Sequence, residues 1–279
     1  MLLLAAAPLG NPKDGSTHLR EAIAAAPFIA AEDSRKFSRL CSDLGVMHHA
    51  KVISFFEGNE LERIDELVAI MESGSDLLVI TDAGMPGISD PGYRLVRAAI
   101  AKEIQVQVLP GPSAVTTALL LSGLPSDRFC FEGFPPRTQG ARRSWFESLL
   151  TEERTIIFFE APHRLLETLE DALFIFGAER GGAICREMTK HYEEIGRGPL
   201  AELLAWADGR EIKGEVTMVL AGFDPSSRTF TSADYVAQVL SQEKAGITRK
   251  EAINEVAKAL AVPKRAVFDA MVEHKSSSS

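Results

Sequence analysis

The sequence predicts an α/β fold made of two α/β domains followed by a small helical unit. Three features of the 279-residue chain point there. Short apolar runs alternate with segments of helical apolar spacing along most of the length. Gly/Pro turns recur at the ends of those runs. Beyond residue 223 the strand-like runs cease and only short amphipathic segments remain.

The first domain, 1–122, offers five strands, at 2–7, 28–31, 52–55, 77–81 and 106–109, each followed by a helix. Leu61, Ile64, Leu67, Val68 and Met71 repeat at helical spacing, as do Leu95, Val96 and Ala99, so each segment carries one buried stripe. Strands separated by helices close most naturally as a parallel sheet. Gly123 and Pro125 break the apolar helix 113–122 and mark the boundary. A second domain, 123–223, then reads strand 129–133, helix 142–150, strand 155–159, helix 165–176, strand 183–187 and strand 215–221. The stretch "DPSSRTFTS" (224–232) has a linker's composition. Three short helices follow within 231–275, at 233–242, 249–260 and 264–273. Thr248 and Glu251 form a capping box before the second, and Pro263 punctuates the next turn. This unit is of helix-turn-helix type, and the terminal "SSSS" (276–279) is expected to be disordered.

Composition narrows the function classes. The chain is 46% hydrophobic and 25% charged, the mix of a soluble globular protein. Its three cysteines, Cys41, Cys130 and Cys185, form no CxxC pair, which points away from a disulfide framework or zinc knuckle and toward a reducing cytoplasm. "MLLLAAAPLG" reads as a buried first strand, since a signal segment would carry a basic leader. No apolar run approaches the ~20 residues that span a bilayer, so no membrane partner is expected. A formal net charge of -9 argues against a general nucleic-acid coat. Local basic groups remain: Arg35, Lys36 and Arg39; Arg137, Arg142 and Arg143; His163 and Arg164; Arg186, Lys190 and His191.

Four loops share one design, an apolar strand ending in a Gly/Pro turn before a helix: "APLGNPKDG", "DAGMPGISDPG", "PGPSA" and "EAPHR". In open α/β sheets such loops form the ligand site. Glu32 and Asp33 lie about 20 residues past Gly10, as in a dinucleotide fold, yet no GxGxxG or GK[ST] is present. These loops suit a ligand held by backbone groups and apolar walls. Asp90 followed by Pro91 has the form of an N-cap and N1 pair for the next helix. Asp82 is open between bracing its own loop and contacting a ligand.

The motifs "PLGNPKD" (8–14), "AEDSR" (31–35), "FFEGNE" (55–60), "DAGMPGISDPG" (82–92), "LPGPSA" (109–114), "SGLPSDRFCFEGFPPR" (122–137), "FFEAPHR" (158–164), "REMTKHYEE" (186–194) and "KGE" (213–215) carry a family resemblance. In this order they resemble the tetrapyrrole methylase-like class of S-adenosylmethionine-dependent methyltransferases. Within it they are most similar to the branch that methylates a cytidine ribose 2′-hydroxyl in the decoding region of 16S rRNA. "AEDSR", "EAPHR" and "REMTK" point to that branch. Ala7, Met85 and Met188 depart from the family's usual residues. The resemblance implies S-adenosyl-L-methionine in the cleft between the two domains, 16S rRNA of the small ribosomal subunit as substrate partner, and a homodimer.

Carried onto this chain, the resemblance places the cofactor at Leu9, Gly84, Met85, Pro86, Gly87, Ile88, Ser113, Ala114, Phe159, Val216 and Thr217. Transfer to a ribose hydroxyl calls for a base or oriented dipole. The candidates for the catalytic set are Glu32, Asp33, Glu160, Glu187 and Lys190, and those for RNA contact are Arg35, His163, Arg164 and Arg186; no metal ligands are expected. The residues alone do not choose among the bases. A tetrapyrrole C-methyltransferase and a non-catalytic RNA-binding assembly factor stay open as alternatives.

Overall fold

The computed structural model describes residues 1–225, 231–244, 246–260 and 262–277. It divides into two compact units, Met1–Phe223 and Asp224–Ser279.

The first unit holds two five-stranded sheets. The first sheet contains β1 (Leu2–Ala5), β2 (Phe28–Ala31), β3 (Lys51–Ser54), β4 (Leu77–Ile80) and β5 (Val106–Leu109). Its order is β3-β2-β4-β1-β5 with every pairing parallel. Period-two alternation feeds two cores. Leu78 and Ile80 face α1 (Thr17–Ala25) and α2 (Ser34–Leu44) through Leu19, Ile23, Phe37 and Leu44. Leu77 and Val79 face α3 (Glu60–Glu72) and α4 (Tyr93–Ala101) through Leu67, Met71, Leu95 and Ala99. Burial on both faces explains why β4 is apolar at every position. The chain order reverses around β4 and β1, so the loops after β1, β2, β4 and β5 gather at one edge, the switch point where ligands bind in such sheets.

The second sheet contains β6 (Phe129–Phe131), β7 (Thr155–Glu160), β8 (Gly181–Arg186), β9 (Glu194–Pro199) and β10 (Val216–Leu220) in the order β6-β7-β10-β8-β9. Only β6 with β7 is parallel; the other pairings are antiparallel. One face packs against α6 (Gln139–Ser148), α7 (Leu165–Phe176) and α8 (Leu200–Ala207) through Phe146, Leu169 and Leu203. The other face is covered by α5 (Ala114–Ser122), whose Val115, Ala118 and Leu119 meet Ile157, Ala183, Cys185 and Val219.

Three elements differ from expectation. The sequence places the helix after β5 in the first domain, because Gly123 ends it; its buried face lies on the second sheet, so the chain changes core before α5. Strand β9 and helix α8 are absent from the expectation, although α8 reads "LAELLAWA", a run of good helix formers. β9 is an edge strand reading "EIGRGP", and one-sided pairing needs no apolar alternation.

The second unit is a three-helix assembly of α9 (Ser232–Lys244), α10 (Arg249–Ala259) and α11 (Lys264–Ser277), closed around Val239, Ile253, Val256, Val267 and Met271. Thr248 caps α10, accepting from the Glu251 amide at 3.4 Å and donating to its carboxylate at 2.6 Å. Ser276 and Ser277 continue α11 instead of starting a tail, and Ser278 and Ser279 lie outside the described residues, as do positions 226–230 of the expected linker. Among the described residues no helix is long and apolar enough to cross a membrane.

Candidate active site

A cavity of about 360 Å³ opens between the carboxyl edge of the first sheet and the end of the second, a volume within the small-molecule range. Its position follows from the loop after β4. Gly84 exchanges both backbone hydrogen bonds with Ala7, at 2.8 and 3.0 Å, which stitches that loop to the one after β1. Gly84 and Gly87 sit at φ 74° and 83°, and Ser89 adopts φ 62° without being glycine. Such strain in a non-glycine residue persists only where its surroundings hold it, and it collects at functional sites. The far end of the loop is held by Glu60, buried at 6% exposure, whose carboxylate accepts from the Gly92 amide at 3.0 Å and lies 3.5 Å from Arg94.

The start of α4 corrects one expectation. The helix begins at Tyr93 with Gly92 as its N-cap and no side-chain cap. Asp90 and Pro91 therefore lie ahead of the helix, and Asp90 lines the cavity. Burial pushes its carboxyl up to about 7, helped by the negative charges of Glu32, Asp82 and Glu215. Those three carboxylates also line the cavity, where Lys36 is the one lysine or arginine among the described residues. Lys36 Nζ bonds Asp82 at 2.7 Å, and the Asp82 amide donates to Glu32 at 3.1 Å. Asp82 thus ties α2 to the β4 loop. Burial holds the Glu32 carboxyl above its ordinary value.

Of the residues expected around a cofactor, Leu9, Gly84, Met85, Ile88, Ser113, Ala114, Phe159, Val216 and Thr217 line the cavity. Pro86 and Gly87 do not; they shape the turn, with the Gly87 amide donating to the Pro91 carbonyl at 3.1 Å. Phe134 packs edge-on to Phe159 at 5.6 Å and adds an aromatic wall.

Four of the expected catalytic residues are occupied elsewhere. Asp33 caps α2 and chelates Arg35 at 2.9 Å, which holds its carboxyl well below the usual range, and it lies outside the cavity lining. Glu160 lines the cavity but is 2% exposed: one oxygen accepts from the Ala161 amide at 2.7 Å, the other from Thr168 at 2.5 Å. Glu187, at φ 51°, accepts from Lys190 at 2.8 Å and from the Glu215 amide at 2.9 Å. Burial works to raise this carboxyl, and those bonds outweigh it to a net lowering. Lys190 also reaches Glu215 at 3.0 Å, and its stem packs where a Cβ on Gly10 would stand. Beside it Thr189 accepts from the Asn11 amide at 3.3 Å, so this turn bridges the two sheets' loops.

The expected RNA contacts also divide. Arg35 is 90% exposed in its side chain and His163 is exposed on the turn before α7. Arg164 instead donates to the Pro135 and Pro136 carbonyls, both at 2.9 Å, and Arg186 to Glu194 and the Lys213 carbonyl, both at 3.1 Å. These two guanidiniums brace the fold. Arg142, read from sequence as part of a basic face, is 1% exposed and salt-bridged at 2.7 Å to the fully buried Asp171.

The sequence reasoning passed over Asp90, Glu215 and Lys36 as cavity groups. Asp90 was hidden by its resemblance to a cap; Lys36 stood out only as a member of a basic group and Glu215 only within the "KGE" motif, because only the meeting of distant loops brings them together.

Comparison with known proteins agrees with this architecture. The family model described as Tetrapyrrole (Corrin/Porphyrin) Methylases matches residues 1–204. Ribosomal RNA small subunit methyltransferase I of Mycobacterium bovis is 46% identical over 275 residues, covering 98% of this chain and 95% of that protein. The protein of the same name from Escherichia coli O157:H7 is 40% identical over 223 residues, 79% of this chain and 77% of its own. Among solved structures, diphthine synthase aligns with a TM-score of 0.58 at 19% identity, covering 79% of this chain and 90% of that one. Uroporphyrin-III C-methyl transferase from Thermus thermophilus, complexed with S-adenyl homocysteine, aligns at 0.54 with 15% identity, covering 79% and 96%. A cavity at the switch point of a parallel sheet, closed by a largely antiparallel second sheet, is thus the site of a chain that belongs to the tetrapyrrole methylase family and, within it, to the ribosomal RNA small subunit methyltransferase I family.

Proposed function

We propose that the chain is an S-adenosylmethionine-dependent methyltransferase that methylates a cytidine ribose 2′-hydroxyl in the decoding region of 16S rRNA. In this assignment the substrate is the small ribosomal subunit, in the cytoplasm, and the enzyme works as a homodimer. The observation that carries it is the cavity: apolar and backbone walls from Leu9, Gly84, Met85, Ile88, Ala114, Phe159 and Val216, with Glu32, Asp82 and Glu215 at its polar side. A net-negative, partly apolar cavity fits a cationic sulfonium ligand carrying an adenine and an ammonium, and disfavours a phosphate-rich one.

S-Adenosylmethionine supplies, when bound, a methyl group on a cationic sulfur. The chain's own residues then have three tasks. The loops after β1, β4 and β5, with the ends of β7 and β10, position the ligand; alignment of this kind is worth up to about 7–11 kcal/mol of a transfer barrier. The Phe134 and Phe159 wall excludes water. The substrate's backbone is met by groups outside the acidic cavity: Arg35 and His163 adjoin the lining residues Lys36 and Pro162 and are exposed, and Arg35 would exchange its Asp33 partner for a phosphate. With a chain charge of -9, so few cations favour a folded subunit that presents its nucleotide over free RNA.

The test is transfer of radiolabelled methyl from S-adenosylmethionine to small subunits lacking modifications, with the labelled nucleotide mapped, beside protein-free 16S rRNA. Label on one cytidine ribose of the subunit supports the assignment; label on no RNA at saturating cofactor overturns it.

A further inference from the structure

We propose that Asp90 is the catalytic base of the methyl transfer, accepting the proton of the attacking hydroxyl. This rests on the methyl-transfer assignment above and names a residue of the "DAGMPGISDPG" motif to which the resemblance gives no catalytic role. The first ground is elimination among the carboxylates near the cavity. Asp82 is paired with Lys36, Glu215 with Lys190, and one oxygen of Glu32 holds the Asp82 amide. Glu160 has both oxygens bonded, Glu187 is held by Lys190 and the Glu215 amide, and Asp33 is a helix cap. Asp90 lines the cavity, and among the described residues its carboxylate has no hydrogen bond and no ion pair.

The second ground is placement. Asp90 lies between Ser89, held at φ 62°, and Pro91, whose carbonyl accepts from the Gly87 amide. Glu60 anchors the following turn through the Gly92 amide. The backbone around Asp90 is therefore clamped from both sides while its side chain is left without a partner, the arrangement of a residue kept for a ligand.

The charged groups facing Asp90 set its proton affinity. They are Glu32 at the end of β2, Asp82 at the end of β4 and Glu215 ahead of β10, with the Lys36 ammonium of α2 bound to Asp82. Burial and the three negative charges bring the carboxyl to about 7. A base titrating near working pH combines a useful ionised fraction with useful proton affinity. In the step itself, the hydroxyl oxygen forms its bond to the methyl carbon while the carbon–sulfur bond breaks and leaves its electron pair on sulfur. The hydroxyl proton passes to an Asp90 oxygen and then to solvent. One positive and one negative charge disappear together, so the balance closes.

The experiment compares wild type, Asp90→Asn and Asp90→Glu in single-turnover transfer to small subunits, from pH 5.5 to 8.5. Calorimetric binding of S-adenosylhomocysteine and a carboxyl ¹³C NMR titration of the cofactor-free protein accompany it. Expected results are a loss of roughly 100-fold or more for Asp90→Asn, partial recovery in Asp90→Glu, and S-adenosylhomocysteine affinity within about threefold of wild type. The wild-type rate should rise through an inflection absent from Asp90→Asn, matched by an Asp90 resonance titrating far above an ordinary carboxylate. Asp90→Asn transferring within about tenfold of wild type, or losing S-adenosylhomocysteine binding in step with rate, overturns the inference. So does an Asp90 resonance that titrates in the ordinary carboxylate range. A wild type that transfers no methyl to the subunit overturns the parent assignment, and the base with it.

Discussion

Asp171→Asn tests whether the charges at 142 and 171 belong to the core or to an RNA face. In the structure Asp171 accepts from Arg142 Nε at 2.7 Å and from Arg143 Nε at 2.6 Å. The side chains of Arg142 and Asp171 are 2% and 0% exposed, and the next carboxylate, Glu167, is 3.6 Å from Arg142 on the surface. Neutralising Asp171 leaves a desolvated guanidinium with that one weak counter-charge. Breaking a buried pair from one side costs about 3–5 kcal/mol, a large fraction of an ordinary stability of about 5–15. Replacing both partners, as Arg142→Met with Asp171→Leu, removes the orphan charge and should cost well under the sum of the single changes. The assay is equilibrium urea unfolding followed by tryptophan fluorescence, because both tryptophans, Trp145 and Trp206, pack against the second sheet's core and report that lobe. Asp171→Asn within 1 kcal/mol of wild type, or purely additive single and double variants, would refute the buried-pair account. An RNA contact behaves oppositely: losing Arg142 would leave stability intact and lower the salt slope of RNA binding by about one.

Three further outcomes follow from the same geometry. Asp90→Asn should stabilise the protein with a defined pH dependence: a carboxyl raised to about 7 from 3.8 makes the folded state bind the extra proton, so wild-type stability falls as pH rises between those values. The gain should be on the order of 1–2 kcal/mol at pH 8 after screening and near zero at pH 4 in chemical denaturation, and equal gains at both would contradict it. Gly214→Ala places a Cβ against the Glu187 carboxylate at a φ of 87°, so it should cost roughly 1–3 kcal/mol in thermal unfolding and weaken S-adenosylhomocysteine binding through Glu215. The thiols of Cys130 and Cys185 are pushed up to about 11 and about 12 by burial, and Cys41 is also raised, so none should react with Ellman's reagent at pH 8 until urea is added. Prompt labelling of any of them in the native protein would contradict their burial.

Much of the fold was legible because its signals are local. The apolar run 77–80 is apolar throughout since β4 is buried on both faces, and Gly45 and Gly123 end helices α2 and α5 in the left-handed conformation only glycine adopts freely. β9 escaped notice because an edge strand of a mixed sheet carries glycine and charge where a central strand needs valine or isoleucine. At the site, the backbone wall around Gly84 and Ile88 was visible in the loop's own glycines and prolines. The polar groups were not. A carboxylate looks the same in sequence whether it caps a helix, like Asp33, neutralises a half-buried lysine, like Glu187, or stands open in a cavity, like Asp90.

The sequence alone determined the order of the first sheet's strands and helices, the Gly/Pro loops and the family, since each depends on residues close together in the chain or on motifs in series. Tertiary structure decided which core α5 joins and which arginines are spent inside the fold. It also decided that Glu32, Asp82, Asp90 and Glu215 share one cavity. Those outcomes depend on through-space Coulomb energies and desolvation, which fall off over a few ångströms and are set by residues far apart in sequence.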